Sequence, residues 1–211
     1  MTKVLIADDH AVVRSGLKQI LDDTGGEIQV QGEAANGREV LEKVQGQDWD
    51  ALVLDITMPG RSGLDILKDI RQLKPGLPVL ILSMHAEEQF ATRMLKAGAS
   101  GYLNKESAPE ELVKAIRKVC SGGKYVSSAQ AERMVSELTG ESDKPPHELL
   151  SDREYEILCL IASGKTPTQI ARQLILSVKT VSTYRSRILE KMKLETNAQL
   201  THYAIKGGLV N

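Results

Sequence analysis

The chain has 211 residues, 41% of them hydrophobic and 26% charged, and carries a formal net charge of −1. This composition is typical of a globular protein with one or two domains. No apolar run approaches the roughly 18–20 residues of a membrane span, and the apolar stretch before Asp8 is too short for a signal peptide. We therefore expect a cytoplasmic protein that does not bind membranes, with Cys120 and Cys159 as free thiols inside apolar helical patterns.

Residues 1–121 alternate short apolar runs with amphipathic stretches. The runs, which predict strands, are Val4–Ala7, Ile28–Ala34, Ala51–Leu54, Val79–Leu82 and Gly101–Leu103. The stretches, which predict helices, lie near 11–23, 37–45, 63–73, 87–97 and 109–121. Five such alternations predict an α/β domain in which helices cover both faces of a five-stranded parallel sheet. Short right-handed connections favour the doubly wound, flavodoxin-like strand order.

Chain-breaking residues follow this unit, and 122–146 are predicted to form a linker with room for a short helix at 128–138. Residues 147–211 predict an all-α domain of four helices, whose N-caps are Ser151, Thr166, Ser177 and Thr196. This domain holds 9 Lys+Arg and 6 Asp+Glu, whereas residues 1–125 hold 16 and 18. A small basic module beside an acidic one is typical of nucleic-acid binders, although the imbalance alone is weak evidence.

Polar side chains stand where the predicted strands end. Asp8 and Asp9 follow the first strand, Asp55 the third, Ser83 the fourth and Lys105 the fifth. In an open parallel sheet these ends meet at one rim, where ligands bind. Clustered carboxylates need a counter-charge and suit Mg²⁺, an Asp can form an aspartyl phosphate, and a Lys can neutralise a phosphoryl group. The rim therefore predicts Mg²⁺-dependent phosphorylation of an aspartate.

Simpler explanations exist for single residues of this rim. Asp8 or Asp9 could cap the helix that begins at Ala11, and Lys105 could be a solvated surface lysine. Such explanations fail for five residues at successive strand ends. A phosphatase of the haloacid dehalogenase type also places an Asp nucleophile after a parallel strand, but it needs a second carboxylate two residues later, where this chain has Thr57.

Residues 1–121 resemble the receiver domain of bacterial response regulators. The matching residues are Ala7-Asp8-Asp9-His10, Leu54-Asp55-Ile56-Thr57-Met58-Pro59-Gly60, Gly63, Ser83, Gly98-Ala99-Ser100-Gly101-Tyr102-Leu103 and Lys105. The resemblance implies that Asp55 is the phospho-acceptor. It also implies that Asp9, Asp55 and the backbone carbonyl of Thr57 bind Mg²⁺ directly, whereas Asp8 acts mostly through a water.

The same resemblance assigns roles to three further residues. Lys105 is expected to contact the phosphoryl group and Ser83 to hydrogen-bond it. Tyr102 is expected to be the aromatic residue that swings inward when Ser83 moves. One departure concerns the residue after this Lys: many receivers have Pro, whereas here Glu106 follows, so the cis bond of those relatives cannot be assumed.

The second domain contains a helix-turn-helix pattern, with helices predicted at 167–174 and 178–192 and a short turn, 175–177, between them. On the second helix, the predicted buried positions are Val181, Ile188, Leu189 and Met192. The outward face carries hydroxyls and cations: Lys179, Ser182, Thr183, Arg185, Ser186 and Arg187. Such a face suits contacts with bases and phosphates, although periodicity alone equally allows an ordinary solvated helix.

The second domain also resembles the LuxR-type helix-turn-helix, and the whole chain resembles the NarL/FixJ family of response regulators. The matching segments are Leu150 to Leu158, Gly164-Lys165, Ile170-Ala171, Leu176 to Tyr184, Ile188 and Lys191-Met192. The resemblance implies DNA binding through Lys179, Thr180, Ser182, Thr183, Tyr184, Arg185 and Ser186. It also makes the fourth helix the candidate dimer contact, with the small and apolar residues Ala198, Leu200, Ala204 and Ile205. Tyr184 stands where relatives often carry His.

The combined expectation is a transcription factor switched by a sensor histidine kinase that phosphorylates Asp55. We expect phosphorylation to favour a homodimer on double-stranded DNA, and the receiver to catalyse only its own phosphorylation and dephosphorylation. Two alternatives remain open: a constitutive DNA binder whose receiver only dimerises, and an RNA-binding antiterminator. The intact set Asp9, Asp55 and Lys105 argues against the first. The segment Lys179-Thr180-Val181 and the fourth helix argue against the second.

Overall fold

The computed structural model describes residues 1–58, 62–84, 87–107, 109–128, 130–132 and 145–210. The chain divides into two compact units, Met1–Gln130 and Ala131–Asn211. Residues 128 and 130–132 are helical, and the rest of the helix predicted at 128–138 lies outside the described residues, as does most of the predicted linker. Along the described parts of the chain, no helix has the length and apolar character needed to cross a membrane.

The first unit is a five-stranded parallel sheet flanked by helices. Its strands are β1 (Thr2–Ala7), β2 (Ile28–Ala34), β3 (Ala51–Asp55), β4 (Val79–Ser83) and β5 (Gly101–Asn104). Its helices are α1 (Ala11–Asp22), α2 (Gly37–Gly46), α3 (Gly63–Leu73), α4 (Glu87–Lys96) and α5 (Pro109–Cys120). The strand order is β2-β1-β3-β4-β5, all parallel. This order confirms the flavodoxin-like prediction.

The central strands β3 and β4 are hydrophobic up to their last residue because helices cover both faces of the sheet. Every residue of β3 and β4 is buried. One face of the sheet packs against α1 and α5 through an aliphatic cluster that includes Val4, Val53, Leu80 and Ile116. The polar residues at the ends of these strands are therefore held by a rigid, close-packed support.

The second unit is helical. It comprises a short 3₁₀ helix (Pro146–Leu149), α6 (Asp152–Ala162), α7 (Pro167–Gln173), α8 (Val178–Met192) and α9 (Asn197–Lys206). All four predicted N-caps accept a hydrogen bond from the backbone N–H three residues later. The 3₁₀ helix was not predicted, and it begins at Pro146, the last residue of the predicted linker. The central helix is α6, which is packed by α7, α8 and α9.

Candidate phosphorylation site and DNA-binding surface

The carboxyl ends of β1 and β3 bring three carboxylates together at the predicted rim. Asp8 and Asp55 are each 1% exposed, and Asp9 is partly exposed. One ligand atom from each of Asp8, Asp9, His10 and Asp55 lies within 4.8 Å of the others. The strand order reverses at this point: β2 lies on one side of β1, and β3 lies on the other side. The carboxylates thus occupy the crevice where open α/β sheets bind ligands.

Lys105 supplies the counter-charge inside this cluster. Its Nζ lies 2.6 Å from Asp8 Oδ2 and 2.8 Å from Asp55 Oδ2, and its side chain is 10% exposed. Burial lowers the pKa of the Lys105 ammonium, but the hydrogen bonds and charges of Asp55 and Asp8 outweigh this, so its pKa lies above the ordinary value. One cation therefore neutralises two buried carboxylates that come from different strands.

The two oxygens of Asp55 have different partners. Oδ1 accepts hydrogen bonds from the backbone N–H and the hydroxyl of Thr57, at 3.0 and 2.8 Å, whereas Oδ2 accepts one from Lys105. The loop after β3 is closed by Gly63, whose N–H donates to the Ile56 carbonyl at 3.3 Å. A Cβ at Gly63 would lie 2.4 Å from Ile56 Cα, so only glycine permits this approach. Pro59 and Gly60 of the predicted motif lie outside the described residues.

Asp8 is fixed by partners that the sequence did not indicate. The Asp8 carbonyl accepts a hydrogen bond from Arg14 Nη1 at 2.7 Å, and Arg14 Nε pairs with Glu33 Oε2 at 3.0 Å. Asp8 Oδ1 accepts from the His10 backbone N–H at 2.8 Å. Arg14 lies on α1 and Glu33 on β2, and nothing in their spacing along the chain predicts that they meet.

The residues of the rim fit a hard divalent cation. Asp9 Oδ1 is buried and, among the described residues, is the one buried side-chain oxygen or nitrogen that has no hydrogen-bond partner. His10 Nδ1 lies 2.8 Å from this oxygen, which is an ion-pair distance without the geometry of a hydrogen bond. A buried carboxylate oxygen in this state is costly unless a cation satisfies it, and carboxylates with room for water suit Mg²⁺.

Ser83 lies at the carboxyl end of β4, the strand next to β3, and Tyr102 lies in β5, the strand beyond β4. Ser83 is the last residue of β4 and is fully buried, and Tyr102 on β5 is 2% exposed. In the parallel register Ser83 pairs with Asn104, and Tyr102 pairs with Ile81. The Lys105 N–H donates to the Ser83 carbonyl at 2.8 Å. The ends of β4 and β5 and the backbone of Lys105 therefore form one connected segment beside Asp55.

In the second unit, α7 and α8 form the predicted helix-turn-helix, with α8 in the position of the second helix. The four positions expected to be buried on α8 are buried: Val181, Ile188, Leu189 and Met192. Lys179, Ser182, Thr183, Ser186 and Arg187 are exposed, as predicted for the outward face. Thr180, Tyr184 and Arg185 are half-buried. The exposed face therefore carries hydroxyls and cations.

Two residues of the predicted DNA-binding set bond to other side chains of the domain. The Thr180 hydroxyl lies 2.7 Å from the hydroxyl of Ser177, the N-cap of α8. Arg185 Nε donates to Asn197 Oδ1 on α9 at 2.6 Å. The hydroxyl of Thr180 thus belongs to the helix cap, and Arg185 links α8 to α9.

Partly buried ion pairs link α6 to α7 and α8. Glu154 closes the capping box with Ser151 and also accepts a hydrogen bond from Lys191 Nζ on α8 at 2.6 Å. Arg153 pairs with Glu156 at 2.7 Å and donates to the Leu174 carbonyl at the end of α7. The capping pattern predicted the first role of Glu154, whereas its contact with Lys191 spans 37 positions and has no sequence signal.

The four residues proposed for the dimer contact on α9 divide into two pairs. Leu200 and Ala204 are fully buried, because they pack inside the domain, so they cannot form an interface between copies. Ala198 is exposed, and Ile205 is 57% exposed. Of the four residues, only Ala198 and Ile205 remain candidates for the contact between two copies.

Comparison with known proteins agrees with this architecture. The model of the response regulator receiver domain matches residues 4–117, and the model of the bacterial regulatory proteins of the luxR family matches residues 148–204. Response regulator UvrY of Escherichia coli K12 is 38% identical over 100% of this chain and 97% of UvrY. Response regulator GacA of Pseudomonas aeruginosa is 35% identical over 100% of this chain and 99% of GacA.

Solved structures of RcsB from Salmonella have the same fold. One RcsB structure aligns with a TM-score of 0.71 and 26% identity over 98% of each chain. A second, bound to the promoter rprA in the presence of the phosphomimetic BeF₃⁻, aligns with a TM-score of 0.66 and 26% identity over 96% of this chain and 97% of that one.

A parallel-sheet domain with an acidic rim, joined to a helix-turn-helix domain, defines a two-component response regulator. Both family models match in order along the chain, and the relatives are similar over its full length. The chain belongs to the NarL/FixJ family of response regulators, which regulate transcription.

Proposed function

We propose that Asp55 is phosphorylated by a sensor histidine kinase in the cytoplasm, and that this modification controls dimerisation and DNA binding. The observation that carries the proposal is Lys105, which is buried between Asp8 and Asp55 with 2.6 and 2.8 Å contacts. A lysine with a purely structural role would need only one carboxylate as its partner. A cation that lies between two carboxylates, beside a third with an unsatisfied oxygen, is arranged to receive further negative charge.

The proposed reaction is phosphoryl transfer to a carboxylate. An oxygen of Asp55 attacks the phosphorus of a phosphohistidine, a P–O bond forms, the P–N bond breaks, and the imidazole leaves. Lys105 then contacts the phosphoryl oxygens, and Ser83 donates its hydroxyl hydrogen to one of them. Thr57 orients Asp55 through two hydrogen bonds to Oδ1. Hydrolysis of the acyl phosphate reverses the modification, and the receiver catalyses no other turnover.

Mg²⁺ is the cofactor that we propose for this rim. Asp9 and Asp55 would bind it directly, with the Thr57 carbonyl, and Asp8 would act through a water. When bound, it neutralises charge on the phosphoryl group. The unsatisfied Asp9 Oδ1 supports this assignment.

For DNA binding we propose that Lys179, Tyr184 and Arg185 contact phosphates, and that Ser182, Thr183 and Ser186 read base edges. Thr180 acts through the helix cap. The exposure of the hydroxyls at the N-terminal half of α8 supports this assignment, because that part of a recognition helix enters the major groove. Ala198 and Ile205 on α9 form the proposed contact between two copies on a two-fold site.

One experiment on the full chain tests the proposal. Wild type and Asp55→Asn are incubated with acetyl phosphate and Mg²⁺, and intact mass, sedimentation and DNA binding to sites selected from random sequence are measured. We expect a phosphoryl adduct on the wild type alone, together with more dimer and tighter DNA binding, because the amide has the shape of Asp55 but is not nucleophilic.

The matched control is Asp48→Asn, because Asp48 is an exposed aspartate of the same domain that pairs with Lys74. It should be phosphorylated like the wild type. An adduct on Asp55→Asn would contradict the acceptor assignment. Equal DNA affinity with and without the adduct would show that the protein is a constitutive DNA binder. Binding to RNA instead of DNA would show that it is an antiterminator.

A further inference from the structure

Three hydroxyls on the exposed face of α8 donate their hydrogen to the helix itself. Ser182 Oγ lies 3.0 Å from the Val178 carbonyl and Thr183 Oγ1 lies 3.0 Å from the Lys179 carbonyl. Ser186 Oγ lies 3.2 Å from the Ser182 carbonyl. Each bond spans four residues, the usual distance for a hydroxyl that bonds back to its own helix. A hydroxyl has a single hydrogen, so each of the three has used its only donor.

These three side chains therefore present only their oxygen lone pairs to a ligand. All three residues are exposed. A hydroxyl that already donates a hydrogen bond is also a better acceptor, because hydrogen bonds in a chain polarise one another. From Val178 to Leu189 the sequence has no Asp, Glu, Asn or Gln, so no carboxylate or amide on this stretch competes with the hydroxyl oxygens as an acceptor.

We propose that Ser182, Thr183 and Ser186 act as hydrogen-bond acceptors on DNA and select amino bases over keto bases on the strand that they contact. In the major groove, adenine N6 and cytosine N4 are donors, whereas guanine and thymine present only acceptors and, for thymine, a methyl group. An accepting hydroxyl distinguishes adenine or cytosine from guanine or thymine. It does not distinguish adenine from cytosine. This inference rests on the proposed binding of α8 in the major groove.

The first test is selection from random double-stranded DNA by the full chain treated with beryllofluoride and Mg²⁺. The variants are Ser182→Ala, Thr183→Val and Ser186→Ala. Each position of the selected site whose preference disappears in one of these variants is thereby assigned to that hydroxyl. At each such position we expect the wild type to accept both adenine and cytosine on one strand and to reject guanine and thymine on that same strand. Ser15→Ala is the matched control, because Ser15 is an exposed helical serine in the receiver, and it should leave the selected site unchanged.

The second test removes the donor from the DNA and needs only the wild-type protein. Adenine at an assigned position is replaced by purine, which keeps N7 but lacks the 6-amino group. Affinity should fall roughly three- to tenfold, the usual net value of one neutral hydrogen bond, and the matching hydroxyl-free variant should show no further loss. Exchange of adenine for cytosine should cost the wild type less than exchange for thymine or guanine.

The outcomes separate this inference from the proposed function. If the assigned positions accept guanine or thymine as readily as adenine on the same strand, the hydroxyls rotate to donate, which overturns the inference while DNA binding stands. No loss of affinity with purine would do the same. Failure to select any DNA sequence would overturn the proposed function and the inference with it.

Discussion

Replacing Lys105 by Met should destabilise the receiver in the absence of divalent cations. Asp8 and Asp55 are each 1% exposed and share this ammonium as their counter-charge. Removing one partner of a buried ion pair costs about 3–5 kcal/mol, because a charge is left buried without compensation. Two carboxylates lose their partner here, and Lys105 itself is only 10% exposed, so solvent screening is weak. We expect a loss of about 4 kcal/mol from this range.

Urea unfolding in EDTA measures this loss. Trp49 is the only tryptophan of the chain and lies in the receiver, so its fluorescence follows the unfolding of that unit alone. With a denaturant dependence of about 2 kcal/mol per molar urea, the midpoint should fall by about 2 M. Added Mg²⁺ should restore more stability to the variant than to the wild type, because the variant lacks its internal cation.

Lys74→Met is the matched control, since Lys74 pairs with Asp48 at 2.6 Å on the surface, where Asp48 is 92% exposed. Exposed pairs contribute about 0–1 kcal/mol, so the control should unfold close to the wild type. A Lys105→Met protein within about 1 kcal/mol of the wild type in EDTA would refute the reasoning from buried charge. So would an equal effect of Mg²⁺ on both proteins.

Three further predictions concern the helical domain. Hydrogen exchange in the full chain measures the stability of this unit, and sedimentation measures self-association. Burial raises the pKa of Glu154, but hydrogen bonds from Lys191 and from the capping box lower it more, so the net pKa lies below its ordinary value. The stability from this shift is present above the unfolded pKa and is lost as pH falls through the folded pKa; Glu154→Gln should remove that dependence, and an unchanged pH profile would argue against it. Ile175 has a left-handed backbone (φ 53°) and is 65% exposed, so Ile175→Asn should raise stability by about 0.5–1 kcal/mol, and a loss of stability would mean that the isoleucine packs after all. Ile205→Ser should weaken self-association with little effect on stability, whereas Leu200→Ala should cost about 2–5 kcal/mol; equal association of the Ile205 variant and the wild type would exclude that surface.

Much of the fold could be predicted from the sequence because the relevant forces act between near neighbours. The N-caps Ser151, Thr166, Ser177 and Thr196 bond three residues ahead, so a short pattern suffices to find them. The apolar runs predicted all five strands, and those that end in Asp55 and Ser83 extend one residue further than the runs. A polar residue can be the last residue of a buried strand when it lies at the rim of the sheet. A prediction based on runs of hydrophobic residues leaves such a residue out.

The contacts that the sequence did not predict join distant positions. Lys105 was expected to contact a phosphoryl group, but its bridge between Asp8 and Asp55 depends on the separation of two strand ends. Arg14 and Glu33 pair across 19 positions. In each case several cations lie at suitable positions along the chain, and only the packing of the sheet and helices decides which one meets which carboxylate.

The bridge made by Lys105 has a consequence for signalling. Its ammonium joins the ends of β1 and β3, while its backbone N–H is bonded to Ser83 at the end of β4. The proposed phosphorylation would replace the single negative charge of the Asp55 carboxylate by the about −1.5 to −2 charges of a phosphoryl group, which would draw the ammonium toward Asp55 and away from Asp8. Asp8 then keeps its hydrogen bonds with the residues that follow β1. Any movement of the Lys105 backbone is passed to Ser83 through the hydrogen bond between the Lys105 N–H and the Ser83 carbonyl. The same residue that stabilises the unmodified rim therefore connects a change of charge at β3 to the ends of β1 and β4, and the unfolding of Lys105→Met measures the first of these connections.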